Sequence, residues 1–265
     1  MSEPTAEPNF VHLHVHTQYS LLQGAIHVDQ LIARAKSLGM PAVAITDTNN
    51  LFGAIDFYKA AKDAGIKPII GCEILYAPNG RAAAAAAPQT AGQQQAVMGP
   101  RFHHLTLLCK DLAGYQNLCQ MVSRAYTEAP PPQKGAPAGP RALVDRELLD
   151  KWGDGLVVLS GCLRGEIPYK VLTGATEEAL ERILWFKKRF GEDFYLELQD
   201  SGLPEQDQVN QVLYEWGGRN GIECVATCDC HYLDPKHAEA HEVLRRERLW
   251  PVEVQIAPML DALEH

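Results

Sequence analysis

The stretch Val11-His12-Leu13-His14-Val15-His16-Thr17 lies near the start of the chain and holds three of its ten histidines. Apolar residues alternate with the histidines, which is the pattern of a short β-strand. Because alternate side chains of a strand point to the same side, His14 and His16 would project from one face. Two neutral imidazoles that converge favour binding of a divalent metal. The alternative is an amphipathic edge strand with solvated histidines. Ligand-type residues at the ends of other strands would favour the metal site over this alternative.

Length and composition describe an ordinary soluble α/β protein. The 265 residues are 46% hydrophobic and 22% charged, and they are enough for one large domain. No apolar run approaches the ~20 residues of a membrane span, and the N-terminus lacks an export signal. Seven cysteines without framework spacing suit a reducing compartment, so we expect a cytoplasmic protein with no membrane association. The formal charge of −9 means that binding of a phosphate substrate needs added cations or another domain.

Two irregular segments interrupt an otherwise alternating pattern of strands and helices. Residues 1–8 are polar and are predicted to be a disordered lead-in. Six alanines between glycine and proline in 79–100, and a proline-rich run in 128–140, predict two flexible surface insertions. Residues 245–265 are expected to form a C-terminal extension that ends in the remnant of a purification tag.

The regular parts of the chain predict a barrel-like domain. Short apolar strands that alternate with helices are typical of a parallel sheet. In barrels of parallel strands the chemistry gathers at the C-terminal ends of the strands. We count about seven strands in one α/β domain, at residues 11–17, 41–46, 67–76, 103–109, 156–160, 194–198 and 222–227.

Ligand-type residues stand in or just after most of these strands. The spacing of two that joins His14 and His16 recurs in Asp229 and His231 at the far end of the chain. Mixed nitrogen, oxygen and sulfur donors suit Zn²⁺, Mn²⁺ or iron better than Mg²⁺ alone. The candidates are His14, His16, Asp47, Glu73, His104, Cys162, Asp200, Asp229 and His231.

Some of these residues have competing interpretations. Glu73 stands among apolar neighbours, and because an unpaired buried carboxylate is costly, a ligand role is favoured. Taken alone, Cys162 fits an ordinary buried cysteine. Asp47 fits either a helix cap or a support for a ligand. Strand alternation requires that one of His103 and His104 points inward, without deciding which one.

Several blocks of sequence, in order, resemble the PHP (polymerase and histidinol phosphatase) family. They resemble in particular the form at the N-terminus of the bacterial DNA polymerase III alpha subunit. The similarity covers roughly residues 9–244 and implies a single domain with a distorted, TIM-like (β/α)7 barrel, in agreement with the strand count. The blocks are HLHVHTQYSLL (12–22), AITD (44–47), NLFGA (50–54), GIKPIIG (65–71), LSGC (159–162) with GEIP (165–168), YLELQD (195–200), and AT (226–227) followed by Asp229, His231 and Tyr232.

The resemblance also implies a metal cluster that is only partly retained. One metal would be held by a set of four residues, and a second by a set that shares Glu73. A third would need an aspartate, a histidine and His231, but Gln23 and Thr48 stand at the first two positions. About two divalent ions are therefore expected, Zn²⁺ or Mn²⁺, with Asp47 and Asp200 behind the ligands. The first set is His14, His16, Glu73 and Asp229; the second is Glu73, His104 and Cys162.

The function that this resemblance implies is metal-dependent phosphodiester hydrolysis. It would remove 3′-terminal nucleotides as proofreading, with water as the nucleophile rather than a side chain. The expected partners are a DNA primer terminus, reached through the parent DNA-directed DNA polymerase, the remaining polymerase domains and a separate proofreading exonuclease. One alternative is a catalytically degenerate domain that stabilises the polymerase and docks that exonuclease. Another is a free-standing phosphatase of small phosphomonoesters, which the polymerase-type blocks disfavour.

Overall fold

The structure is a computed structural model that describes residues 10–85, 100–131 and 142–249. The predicted lead-in at 1–8 lies outside the described residues. So do 86–99 and 132–141 of the two predicted insertions, and 250–265 of the predicted extension.

The described residues form nine helices around a curled sheet of six strands. The strands are β1 (Ala42–Ile45), β2 (Lys67–Tyr76), β3 (His103–Cys109), β4 (Leu156–Leu159), β5 (Phe194–Gln199) and β6 (Cys224–Thr227). The helices are α1 (Val28–Ser37), α2 (Ala54–Ala64), α3 (Arg81–Ala85), α4 (Leu112–Thr127), α5 (Arg146–Trp152), α6 (Glu166–Leu172), α7 (Thr176–Phe190), α8 (Pro204–Asn220) and α9 (Ala238–Leu249).

Local sequence signals account for several helix ends. The side chains of Asp111 and Asp145 accept backbone N–H groups at the starts of α4 and α5, which is the usual role of an aspartate cap. Helices α2 and α8 end at Gly65 and Gly221, both in the left-handed conformation that glycine adopts at low cost. None of the helices in the described ranges is both long and apolar enough to cross a membrane.

The sheet has the order β1-β2-β3-β4-β5-β6, and the prediction of parallel strands throughout is wrong at β3. Strand β3 is antiparallel to both β2 and β4, while the other neighbouring pairs are parallel. An apolar run does not encode the direction of a strand, which is set by the path of its connections. The reversal places the first residues of β3 beside the last residues of β2, where His104 pairs with Leu75.

The first predicted strand is extended but makes only isolated bridges. Val15 bridges to Cys230, and Thr17 bridges to Ile26. The segment also accepts a hydrogen bond from β1, at 2.8 Å between Ala44 N and His12 O. It therefore lies between β1 and the chain that follows β6. Six strands and this bridging segment stand where seven strands were predicted.

A small inner cluster forms the floor of the concave side of the sheet. It is centred on Ala44, Leu108 and Leu159, and every strand contributes a residue to it. The remaining members are Leu13, Ile69, Val157, Tyr195 and Val225. A larger core lies on the outer face, where α4 to α8 pack on the sheet. Because this cluster fills the inner side of the sheet, the strand ends that carry the candidate metal ligands lie together at one side of the molecule.

The beginning of the first predicted insertion is ordered as helix α3. Its Ala84 is buried with Leu75, Ala77 and Leu143. Alanine has the highest helix propensity, and this methyl group also gains apolar contacts. The insertion is therefore helical where it leaves β2.

Candidate metal centre

His14 and His16 direct their Nε2 atoms to the same point, as their spacing predicts. The two Nε2 atoms lie 3.3 Å apart. Asp229 Oδ1 lies 3.4 Å from His14 Nε2 and 3.3 Å from His16 Nε2. Glu73 Oε2 lies 3.4 Å from His14 Nε2 and 3.9 Å from His16 Nε2. The ligands of a tetrahedral zinc site are about 3.4 Å from one another, so the separations suit one ion.

The Nδ1 atoms of both histidines are held from behind by hydrogen bonds. His14 Nδ1 lies 2.7 Å from Glu197 Oε1. His16 Nδ1 lies 3.0 Å from Ser20 Oγ, and that hydroxyl donates to Asp47 Oδ1 at 2.7 Å. Such contacts fix the ring orientation and leave Nε2 as the available donor atom. Asp47 thus lies behind His16, in the position expected of a support for a ligand rather than of a helix cap.

Glu73 joins a second group of donors to the first. His104 Nδ1 lies 2.7 Å from Glu73 Oε2, so His104 is the inward-facing residue of its pair. Donor atoms of Glu73, His104 and Cys162 all lie within 4.8 Å of one another. His103 instead contacts the ring of Tyr169, with a centroid distance of 5.4 Å. The reversed direction of β3 is what brings His104 to the same edge as Glu73.

Asp229 and His231 converge on the centre from the loop after β6. Asp229 has a φ of 47°, a left-handed conformation that is uncommon for residues other than glycine. Its Oδ1 lies 3.2 Å from His231 Nε2, and the His231 ring stacks on that of His16 at 4.3 Å. His16, Asp229 and His231 therefore form a third group of neighbouring donors.

The resemblance implies metal ligands at positions 48 and 23, where Thr48 and Gln23 stand. The Thr48 side chain is engaged within the protein, since its Oγ1 donates to Glu73 Oε1 at 3.2 Å. At Gln23 it is the backbone carbonyl oxygen that makes contacts, 2.9 Å from His231 Nδ1 and 2.7 Å from His241 Nε2, and these do not depend on the side chain. The predicted supporting residue Asp200 is exposed at the end of β5 and is not part of the donor groups.

The centre combines buried carboxylates with basic imidazoles. Burial alone would lower the pKa of His14, but the charges of Asp229 and Glu197 raise that pKa well above its usual value. Burial alone would raise the pKa of Glu73, but His104 and His16 hold it well below its usual range. Burial, Asp229 and Glu73 together raise the pKa of the Cys162 thiol. Binding of a metal ion here would therefore displace protons.

Two buried polar atoms of this centre have no hydrogen-bond partner among the described residues. They are His104 Nε2 and Asp229 Oδ1, the latter lying 3.2 to 3.4 Å from three imidazole nitrogens. An unpaired polar atom in a protein interior costs about 1–3 kcal/mol, so each one calls for an explanation. Both are good metal donors, and both belong to groups that bring three donors together. The residues present therefore fit divalent metal ions.

A cavity of about 470 Å³ opens beside the donors. Its walls add residues that were not predicted from the sequence, namely Arg164, Gln199, Gln206 and His241. Glu197 was also missed as a site residue, although it stands in a quoted block. The signal for Glu197 was available, because a carboxylate among the apolar residues of a strand is costly to bury unpaired, as for Glu73. Arg164 and His241 carried no such signal.

A comparison with family models matches residues 12–201 to the PHP domain. The chain belongs to the PHP family. This confirms the resemblance inferred from the motifs. The match includes the histidine stretch, Glu73, His104 and Cys162, whereas Asp229 and His231 lie beyond its end.

The curated relatives of this PHP domain are DNA polymerase III alpha subunits. The chain is 44% identical over 237 residues to the subunit of Thermus aquaticus, covering 89% of this chain and 18% of the relative. It is 42% identical over 235 residues to that of Borreliella burgdorferi, covering 89% and 19%. The chain thus spans about a fifth of the length of these relatives.

Two solved structures support the fold. One is a putative metal-dependent phosphoesterase from Bifidobacterium adolescentis, with a TM-score of 0.53 and 16% identity over 86% of this chain and 90% of that one. Another is an amidohydrolase from Chromobacterium violaceum with bound sulfate, with a TM-score of 0.52 and 15% identity over 88% and 96%. At these identities the likeness concerns the fold alone, a curled α/β sheet.

Proposed function

We propose that this chain is the PHP domain of a bacterial replicative polymerase, the DNA polymerase III alpha subunit, and that it hydrolyses phosphodiester bonds with two divalent ions. The observation that carries the proposal is the position of Glu73 between two groups of donors. A carboxylate shared in this way suits a pair of neighbouring ions, which is the arrangement of many phosphoesterases. The domain would comprise residues 9–244.

In this proposal each ion has its own set of ligands. His14, His16, Glu73 and Asp229 would hold the first, while Glu73, His104 and Cys162 would hold the second. When bound, such ions polarise a phosphoryl oxygen and supply activated water. Glu197 and Asp47 keep the two N-terminal histidines oriented toward the ions, since their carboxylates fix the opposite ring edge directly or through Ser20.

The proposed substrate is the 3′ end of a DNA primer, and the proposed activity is removal of its terminal nucleotide. A cavity of about 470 Å³ falls in the range that accommodates small ligands. With a formal charge of −9, the chain repels a polyanion at long range. The other polymerase domains would therefore deliver the primer, and the ions would neutralise the phosphate locally.

The test measures metal content and hydrolysis in the same preparation. Protein loaded with Zn²⁺ or Mn²⁺ is incubated with a 3′-labelled primer, with and without a chelator. We expect release of the terminal nucleotide by the loaded protein and none in chelator. Glu73→Gln should abolish the release, whereas Glu181→Gln, at an exposed position of α7, should leave it unchanged. Full metal occupancy without any release would contradict the hydrolytic function.

That contradicting outcome would favour a second function, in which the domain stabilises the polymerase and docks a separate proofreading exonuclease. The observation behind it is the neutral side chains of Gln23 and Thr48 at positions where the resemblance implies charged or imidazole ligands, with the Thr48 hydroxyl bonded to Glu73. Relics of a catalytic cluster would retain some donors and lose others. Binding of an exonuclease to the full polymerase subunit, measured with and without the substitution His14→Ala, would test this function.

A further inference from the structure

The cavity beside the metal centre contains a single arginine or lysine among its described lining residues, Arg164. The guanidinium belongs to an exposed side chain in the loop between β4 and α6. Donors of both proposed ion sites, among them Cys162 and Asp229, line the same cavity. A residue that carries a positive charge therefore lines the space where a substrate would meet the ions.

The backbone of Arg164 is anchored to the metal centre itself. His104 N donates to Arg164 O at 3.0 Å, and Gly165 N closes a tight turn on Cys162 O at 2.7 Å. Gly161 lets the loop pass close to β3, since its φ is +86° and an added Cβ would lie 2.6 Å from His104 O. The loop that carries Arg164 is thus held by backbone hydrogen bonds to two proposed ligands of the second ion.

Two amide donors that line the cavity are already in use, whereas Arg164 has no side-chain partner among the described residues. Gln199 Nε2 donates to Glu197 Oε1 at 3.0 Å, and Gln206 Nε2 donates to Asn210 Oδ1 at 2.9 Å. By contrast, Arg164 forms no ion pair within the part of the chain that the structure describes. An unpaired guanidinium beside a site for anions is free to bind one.

We propose that Arg164 is a substrate-binding residue that donates hydrogen bonds to the phosphate oxygens of a nucleotide in the cavity. The proposal rests on the phosphoesterase function above and adds a residue that recognises its substrate. A guanidinium forms two parallel hydrogen bonds to a phosphate, which a lysine ammonium does not reproduce. In a chain with a formal charge of −9, such a donor supplements the charge of the ions.

The experiment measures binding of thymidine 5′-monophosphate to the metal-loaded protein by calorimetry, so it does not require hydrolysis. Arg164→Gln should weaken binding about 10- to 100-fold, as expected for loss of charge-assisted hydrogen bonds. Arg164→Lys should recover part of the loss. The control is Arg219→Gln, which removes a charge from α8 whose side chain is 68% exposed and paired with Glu215.

Three results would overturn the proposal. They are unchanged binding of the nucleotide by Arg164→Gln, loss of metal by that variant, and equal weakening for thymidine without phosphate. Failure of the wild-type protein to bind the nucleotide would overturn it as well. Binding that depends on Arg164 in a protein that releases no nucleotide from a primer would support the recognition role while contradicting hydrolysis.

Discussion

The polar atoms on the two sides of the metal centre differ in their hydrogen bonding. On one side, His104 Nε2 is buried without a hydrogen-bond partner among the described residues. On the other side, the Thr48 hydroxyl donates to Glu73, and the backbone carbonyl of Gln23 accepts from His231 or His241. One side thus keeps a buried imidazole nitrogen free, while the hydroxyl on the other side is already hydrogen-bonded within the protein.

This contrast bears on the number of ions in the proposed function. A buried donor or acceptor without a partner costs about 1–3 kcal/mol, and a bound ion would supply the missing interaction. The neutral side chains of Thr48 and Gln23 stand next to the third donor group, so the proposal of two ions rather than three rests on these two positions. Four variants test it.

The largest effect is expected for His14→Ala. It removes a donor from the first ion and leaves the buried carboxylates Glu197 and Glu73, and the partly buried Asp229, without their shared imidazole. Truncating one member of a buried charged group costs about 3–5 kcal/mol, so we expect loss of the first ion and a decrease in unfolding free energy of that size. Elemental analysis and urea unfolding measure the two effects.

His27→Ala is the control for this variant, since His27 is exposed ahead of α1. His14→Gln keeps most of the side-chain volume and should also lose the ion if the alanine variant folds poorly. Unchanged metal content in both variants would contradict the assignment of His14.

The double substitution Gln23→Asp with Thr48→His is expected to create a third metal site. It restores a carboxylate and an imidazole next to His231, so the number of bound ions should rise from about two to about three. Metal content per protein measures the change, and each single substitution serves as a control. A count near three in the unmodified protein would show that the two sides do not differ, and a count near zero would favour the structural function.

A smaller effect is expected for Glu197→Gln. This substitution tests the hydrogen bond between Glu197 and His14 Nδ1, which orients the His14 ring. The amide keeps the shape of Glu197 but not its charge, so His14 is held less firmly. Loss of such a support typically weakens metal binding about 10- to 100-fold. Competition with a chelator measures the affinity, and Glu181→Gln should show none of this weakening. An affinity equal to that of the wild type would mean that Glu197 serves packing alone.

The smallest effect is expected for Thr48→Val, which removes a hydroxyl while keeping the shape of the side chain. Thr48 donates to Glu73 and lies 3.3 Å from His16 Nδ1 through the same oxygen. Losing one such hydrogen bond costs about 1 kcal/mol of stability, and metal content should not change. Thermal unfolding with metal analysis checks both. Loss of an ion in this variant would show that the hydroxyl is a ligand after all.

Much of the centre could be predicted from local sequence. The spacing of two in His14 and His16 determines a shared face, because side chains of extended backbone alternate. The apolar surroundings of Glu73 made a solvated role costly. These are local properties, so they hold whichever way the rest of the chain is arranged.

The remaining features needed the tertiary structure. The choice between His103 and His104 was made by the register of β3 on β2, in which His104 pairs with Leu75 and shares the face of Glu73. That register depends on contacts that the residues of β3 do not encode. Asp229 reaches the centre through a left-handed turn rather than strand alternation. The pairing of Glu197 with His14 spans 183 positions in the chain. By itself, the sequence determined which atoms are suited to bind metal, whereas packing between distant segments decided which of those atoms meet and that Arg164 lines the same cavity.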